Sequence, residues 1–425
     1  MKRHLPLAVA FLLLLAALPG AAQILRLRID GTIQPIAAER VSRALDAASS
    51  RHASALLIEL DTPGGLLDST RDIVAKIDAS PVPVITIVAP SGARAASAGF
   101  FILEAGDVAA MATGTNTGAA HPVTIGGGQP DDVMKTKIEN DSAAFLRSYV
   151  SRRGRNAEEA EKAVRQSISW TDTEALSLHL IDLTAHDEAD LLHQLEGRTI
   201  TRFNGTSQTL HLAGQSVVDL PPTLREQILG WLMDPNIAFL VLVIGALAVY
   251  VEFTHPGAVV PGVVGVLFIL LAVFALNLLP TRFSALALIA LAFVLFALEA
   301  KFVSHGALTL GGIAALTLGG LLLVDGPIPQ MRVKLIVALS VSLPFGLITA
   351  FLMSIAWRAR RNKVVTGSQG IVGELGVACT DLAPSGKVFV HGELWNAHSA
   401  RPIHPGDQIR VVAIRQLELE VEPTA

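Results

Sequence analysis

Residues 55–65 read Ala55-Leu-Leu-Ile-Glu-Leu-Asp61-Thr-Pro-Gly-Gly65, a nearly unbroken apolar run that stops at a turn. Such a run predicts a strand buried on both faces, the kind found inside a parallel sheet. Two consecutive glycines after it let backbone N–H groups swing toward a ligand. Outward from this stretch the pattern alternates. ILRLRI (24–29) comes before it, followed by a helical pattern over about 36–49. A second helical pattern covers about 66–78, and VPVITIVAP (82–90) follows. The β-α-β-α-β order predicts parallel strands joined by crossover helices. A long helix at about 131–153 and a hairpin over 199–212, turning at Asn204-Gly205, complete an α/β domain.

Of the 425 residues, 51% are hydrophobic and only 16% charged, against about 25% charged in soluble proteins. The excess apolarity lies in residues 5–22 and 237–357, so the chain reads as soluble, then membrane, then soluble. Lys2, Arg3 and His4 precede an apolar run that exits through Pro19-Gly-Ala-Ala22, which reads as a secretory signal over 1–22 with Gln23 as the mature start. Residues 231–357 hold five apolar segments near 236–252, 257–276, 283–300, 306–324 and 335–357, each about long enough to cross a bilayer, the first and third shortest. A weak repeat places Glu252 before His255-Pro-Gly257, and Glu299 before His305-Gly306, at the turns of two apolar hairpins. These residues read as turn caps, with a metal or proton site as the alternative.

With residues 23–230 outside, five crossings leave the C-terminus inside, where Arg358, Arg360, Arg361 and Lys363 satisfy the positive-inside preference. The expected location is the plasma (inner) membrane, multi-pass, with the α/β domain periplasmic. Residues 364–425 carry short apolar runs between glycines and predict a five-stranded OB-like barrel in the cytoplasm, with Trp395 in its core. Cys379 is the single cysteine, which excludes an intramolecular disulfide and a cysteine-based zinc cluster. It reads as a small packed residue. A net charge of −4 without a long basic run excludes nucleic acid as a partner.

Chemistry concentrates near the strand ends. Ser97 lies in Ser91-Gly-Ala-Arg-Ala-Ala-Ser97-Ala-Gly99, after the third strand. Small residues on both sides let a helix start there while a substrate backbone comes close. A helix N-terminus favours developing negative charge, although a plain N-cap occupies the same position. N–H groups of the Gly64-Gly65 turn can form an oxyanion hole. A serine nucleophile needs a base. Lys137, in MKTKIEND (134–141), serves only when desolvation keeps it neutral. His121, in GAAHP (118–122), needs little tuning.

The set LDTPGG (60–65), SGARAASAG (91–99), GAAHPV (118–123), KIEND (137–141) and TEALSLHLID (173–182) resembles the NfeD family of membrane-bound serine proteases. The protease domain of that family is related to Clp protease and signal peptide peptidase A and has the crotonase-type fold. The resemblance covers nearly the whole chain. It implies a Clp-like protease domain at 23–230, a five-span α-helical region at 231–357 and a C-terminal NfeD barrel at 364–425. It also implies a Ser-Lys dyad of Ser97 and Lys137, with Lys135 close by, and an oxyanion hole from Gly64 or Gly65 with Ala98. His121 falls near the catalytic histidine of the Clp relatives, which leaves a triad with Asp172 open. His179 stands where glycine is common. By the same resemblance the substrate is a peptide or membrane protein, namely apolar segments of a stomatin-like partner in the lipid bilayer. No cofactor or metal is implied, and self-association is expected by analogy. The rival is a non-proteolytic membrane scaffold that recruits a stomatin-like protein through the barrel. Acyl-CoA chemistry fits poorly with an outward-facing domain.

Overall fold

A computed structural model of the chain describes residues 23–123, 131–254, 257, 259–302, 304–361 and 368–424. The leader at 1–22, His255 and Lys363 lie outside them. The first part runs β1 (Gln23–Asp30), α1 (Pro35–Ser50), β2 (Ala55–Asp61), α2 (Leu67–Asp78), β3 (Val84–Val88), β4 (Arg94–Ala96), α3 (Ala98–Ala105), β5 (Val108–Ala112) and β6 (Asn116–Gly118). It continues with α4 (Asp132–Val150), α5 (Ala157–Arg165), β7 (Ser169–Thr171), α6 (Asp172–Ser177), β8 (Leu183–Ala185) and α7 (Glu188–Leu195). The hairpin β9 (Thr199–Thr201) and β10 (Ser207–Thr209), then β11 (Ser216–Asp219) and α8 (Leu224–Leu232), close it.

Six strands form one sheet in the order β11-β1-β2-β3-β5-β8, parallel throughout. The apolar runs 55–60 and 84–88 take central places because helices or loops cover both faces. Alternation divides their side chains. Leu56, Ile58 and Leu60 join one core with α1, α2, α3 and α4. Ala55 and Leu57 join the other, under α7 and the β9–β10 hairpin. A small second sheet, β4-β6-β7, stands at the C-terminal end of β2. Every residue of α3 is buried, including Glu104.

Five apolar helices follow: α9 (Pro235–Thr254), α10 (Val260–Asn277), α11 (Phe283–Lys301), α12 (Ala307–Leu322) and α13 (Leu335–Arg361). Three stretches, Pro235–Phe253, Val260–Asn277 and Pro329–Phe351, are long and apolar enough to cross a membrane, while Phe283–Glu299 and Ala307–Leu322 are shorter. The third segment is therefore short as expected, but the other short one is the fourth, not the first. The first gains length by starting at Pro235. The fourth stops at Leu322 because Val324 leaves the helix and pairs with Thr281. Glycines bring α9 and α10 together: a Cβ on Gly265 would lie 2.7 Å from the Gly245 carbonyl oxygen. The repeated glutamates cap turns. The Gly257 N–H donates to Glu252 Oε1 (3.2 Å). Ser304 Oγ donates to Glu299 Oε2 (2.7 Å), and the Gly306 N–H to Glu299 Oε1 (3.2 Å).

One compact unit runs from the α/β domain to Leu298 and includes Ala307–Gly346. Helix α8 joins its two parts. The Thr223/Glu226 capping box starts it, and buried Glu226 accepts Arg43 Nε of α1 at 2.7 Å. Leu66, next to the glycine turn, packs against the core of the membrane helices.

The other unit ends in a closed barrel of β12 (Leu375–Ala378), β13 (Ser385–Val390), β14 (Glu393–His398), β15 (Gln408–Arg415) and β16 (Glu418–Pro423), in the order β12-β13-β14-β16-β15. Trp395 lies against its apolar core. Cys379 is exposed, which corrects the packed reading. Ala378 takes the inward position, and alternation turns the next residue outward.

Candidate active site

Ser97 caps α3 with φ 53° and ψ −115°, and its hydroxyl makes no capping hydrogen bond. This backbone region is costly for a residue with a Cβ. Neighbours hold it there: the Ser97 N–H donates to the Gly118 carbonyl (2.8 Å), and its own carbonyl accepts the Phe100 N–H (3.0 Å). The plain N-cap reading therefore describes the position of Ser97 but not the use of its hydroxyl.

The glycine turn lies against it. Thr62 is fully buried; its N–H donates to Arg94 O (2.7 Å) and its carbonyl accepts the Ala96 N–H (3.0 Å). Thr62 Oγ1 accepts the Gly64 N–H at 3.1 Å. Gly64 has φ +111°, and a Cβ on it would lie 2.6 Å from Ser97 Cβ. A Cβ on Gly65 would lie 2.1 Å from the Ile33 carbonyl oxygen. Ile33 bonds the Gly64 carbonyl and the Leu66 N–H (2.9 and 2.8 Å), so the Gly65 N–H points to the opposite side. The Ala98 N–H belongs to the first turn of α3, where helix amides have no intrahelical acceptor.

A cavity of about 320 Å³ opens beside Ser97. Gly65, Ala98 and His121 share its wall with Leu66, Phe101, Ile138 and Ser142, and Pro327 and Ile328 from the segment between α12 and α13 complete it. Among the described residues, no Asp, Glu, Lys or Arg side chain lines it. His121 is half-buried, with Nδ1 2.8 Å from the Val164 carbonyl at the end of α5. A carbonyl only accepts, so Nδ1 donates there, which leaves Nε2 as the ring atom that can face the cavity side as an acceptor in the singly protonated tautomer. Asp172 does not join it: Asp172 Oδ1 accepts the Gly114 N–H (3.4 Å) away from the cavity. Lys137 and Lys135 are exposed on the first turns of α4, and the cavity is lined by Ile138.

Thus Ser97, Gly65, Ala98 and His121 come together, Gly64 backs Ser97, and Lys137 stands one residue from the wall. Sequence reasoning missed Ser142, which is 1% exposed with an unpartnered Oγ. Its spacing of four from Ile138 on one helix was the available signal. Pro327 and Ile328 had none.

Behind the site, burial pushes the Glu104 carboxyl up to about 8, with Arg155 pulling the other way. Arg155 itself bonds Asp182 (2.7 Å) and the Glu104 and Gly106 carbonyls (2.7 and 2.9 Å). Asp107 accepts Arg153, Arg202 Nε (3.1 Å) and the Val84 N–H (2.8 Å), which ties α4 to the sheet.

Residues 23–208 match the NfeD1b N-terminal domain, residues 236–355 the NfeD integral membrane domain, and residues 368–423 the NfeD-like C-terminal, partner-binding domain. The chain is 34% identical over 408 residues to the membrane-bound protease PH1510 of Pyrococcus horikoshii, covering 93% of this chain and 92% of that protein. It is 26% identical over 383 residues to membrane protein NfeD1b of Bacillus subtilis, covering 86% and 84%. A solved structure, the 1510-N membrane protease specific for a stomatin homolog from Pyrococcus horikoshii, is 32% identical, covers 50% of this chain and 99% of its own, and has a TM-score of 0.44.

Proposed function

The chain belongs to the NfeD family of membrane proteins, and from that premise we propose that it is a membrane-bound serine endopeptidase acting through Ser97. The observation that carries the reading is the strained Ser97, whose hydroxyl is left uncapped beside an apolar cavity. Strain of this kind costs about 1–3 kcal/mol and persists where the surroundings impose it, commonly at reacting groups.

In the proposed mechanism neutral Lys137 takes the Ser97 proton as Oγ attacks a peptide carbonyl. The N–H groups of Gly65 and Ala98 bind the oxyanion. The lysine then protonates the leaving amine, and water hydrolyses the acyl-enzyme with lysine again as base. Lys137 is exposed next to Ile138, which lines the cavity wall. A peptide lying across the mouth would exclude water from its amine and favour the neutral form. The proton arrangement of His121, with Nδ1 on the Val164 carbonyl, supports a second reading in which Nε2 is the base.

On the family resemblance, the substrate in this reading is an apolar segment of a stomatin-like membrane protein, and the C-terminal barrel, which matches a partner-binding domain, recruits that partner. We place the α/β domain outside the plasma membrane and the barrel in the cytoplasm, on the leader and the basic cluster at the C-terminal end of α13.

The test uses the full chain in detergent with an apolar-rich peptide pool, cleavage being read by mass spectrometry. Loss in both Ser97→Ala and Lys137→Ala, with His121→Ala active, supports the dyad. Loss in His121→Ala with Lys137→Ala active moves the base to His121. Cleavage that survives Ser97→Ala overturns the peptidase reading.

A further inference from the structure

We propose that the membrane region supplies part of the substrate pocket: Pro327 and Ile328 select the apolar side chain bound next to the scissile bond. The inference rests on the peptidase reading above.

Both residues share the cavity wall with Ser97, Ala98 and Phe101, although more than half of the α/β domain and the helices α9–α12 separate them in sequence. Their segment is held from both ends. The Asp325 N–H donates to Pro280 O (2.9 Å), and its carboxylate accepts Arg282 (2.7 Å). Arg332 Nε donates to the Gly326 carbonyl (2.9 Å). Met331 is fully buried, and its N–H closes on Ile328 O at 3.0 Å. A Cβ on Gly326 would lie 2.3 Å from Met331 Cβ, so the turn tolerates no larger residue there. A wall fixed in this way has a definite shape.

The facing wall is coupled to the same body. Leu66 and Ile328 both pack against the core of the membrane helices. The cavity therefore lies on the seam between the α/β domain and the helices, and neither part encloses it alone. Among the described residues its lining carries no charged side chain, so an aliphatic or aromatic side chain fits and a charged one would lose its hydration without recompense. The volume left by Ile328 then decides which apolar side chain fits.

The experiment measures kcat/KM of the full chain in detergent for peptides that differ only in the residue on each side of the cleaved bond: Ala, Leu or Phe. Wild type, Ile328→Ala, Ile328→Trp and Ser97→Ala are compared. Filling the wall in Ile328→Trp should lower the Phe-to-Ala preference by about tenfold or more, the least that a single methylene is worth in a pocket. Ile328→Ala should shift the preference the other way. Cleavage of the Ala peptide should persist in both, which also shows that they fold. Preferences within about twofold of wild type, with Ser97-dependent cleavage intact, overturn the inference alone. Wild type without Ser97-dependent cleavage overturns the peptidase reading, and this inference with it.

Discussion

Gly64 is packed against Ser97 so closely that a Cβ on residue 64 would lie 3.1 Å from the serine Oγ and 2.6 Å from its Cβ. The glycine turn and Ser97 are therefore a single fitted unit, and a change in one is felt by the other.

Gly64→Ala adds that Cβ at φ +111°, where side chains are strained. Ser97 must move. We expect kcat to fall by about 10²-fold, since small misplacement at a reacting centre has that effect. The domain should remain folded. Peptide cleavage kinetics and circular dichroism check this, and an unchanged kcat would show that the fit is not required.

Ser97→Gly and Ser97→Ala both remove the hydroxyl and should both be inactive. They should differ in stability. Glycine adopts φ 53° and ψ −115° freely, whereas alanine does not. The glycine variant should be more stable than the alanine variant by about 1 kcal/mol or more. Thermal unfolding of the two variants side by side measures it. Equal midpoints would mean that the backbone there stores no strain.

Glu104 introduces a pH dependence. Its folded carboxyl keeps its proton to about 8, whereas the ordinary value is 4.5. Between these values the unfolded chain has released a proton that the folded chain retains. Stability therefore falls as pH rises through that window. Asp78, raised from 3.8 to about 6 by burial against the pull of Arg153, acts in the same direction at lower pH. Glu104→Gln stays neutral and should flatten the upper part of the curve. Hydrogen exchange of α3 and β5 at pH 5 and 8, corrected for intrinsic rates, tests it. A wild-type slope in the variant would exclude Glu104 as its source.

His179 is exposed at the end of α6 with φ 56°. In the motif that the stretch 173–182 resembles, glycine is common at this place. His179→Gly should stabilise the domain by about 1 kcal/mol, the cost of a left-handed residue that has a Cβ. A lower unfolding midpoint in the variant would show that the imidazole contributes more than the backbone loses.

The legible parts of the molecule were local ones. ALLIEL and VITIV announce buried parallel strands because burial on both faces removes polar positions. Small residues around Ser97 announce a close approach. What stayed hidden depends on contacts between distant segments. The φ of Ser97 is set by Gly64 and by the carbonyl of Gly118, neither of which is visible in the serine's own neighbourhood. The exposure of Lys137 follows from how α4 is rotated, which a motif position does not state. Pro327 and Ile328 enter the cavity only because α8 and Leu66 dock the helices onto the sheet. The five apolar segments were readable from hydropathy, but their ends were not. Pairing of Val324 with Thr281 shortens the fourth in a way that apolarity alone does not record.

The contact of Leu66 with the membrane helices makes the molecule a ruler. Gly65 is bonded to Leu66, and Leu66 packs on the helices, so Ser97 stands at a set distance from their ends. On the peptidase reading, a substrate is then chosen by altitude as well as by side chain. A bond that never reaches that height is left intact whatever its sequence, and a change in bilayer thickness would alter which bonds come into range.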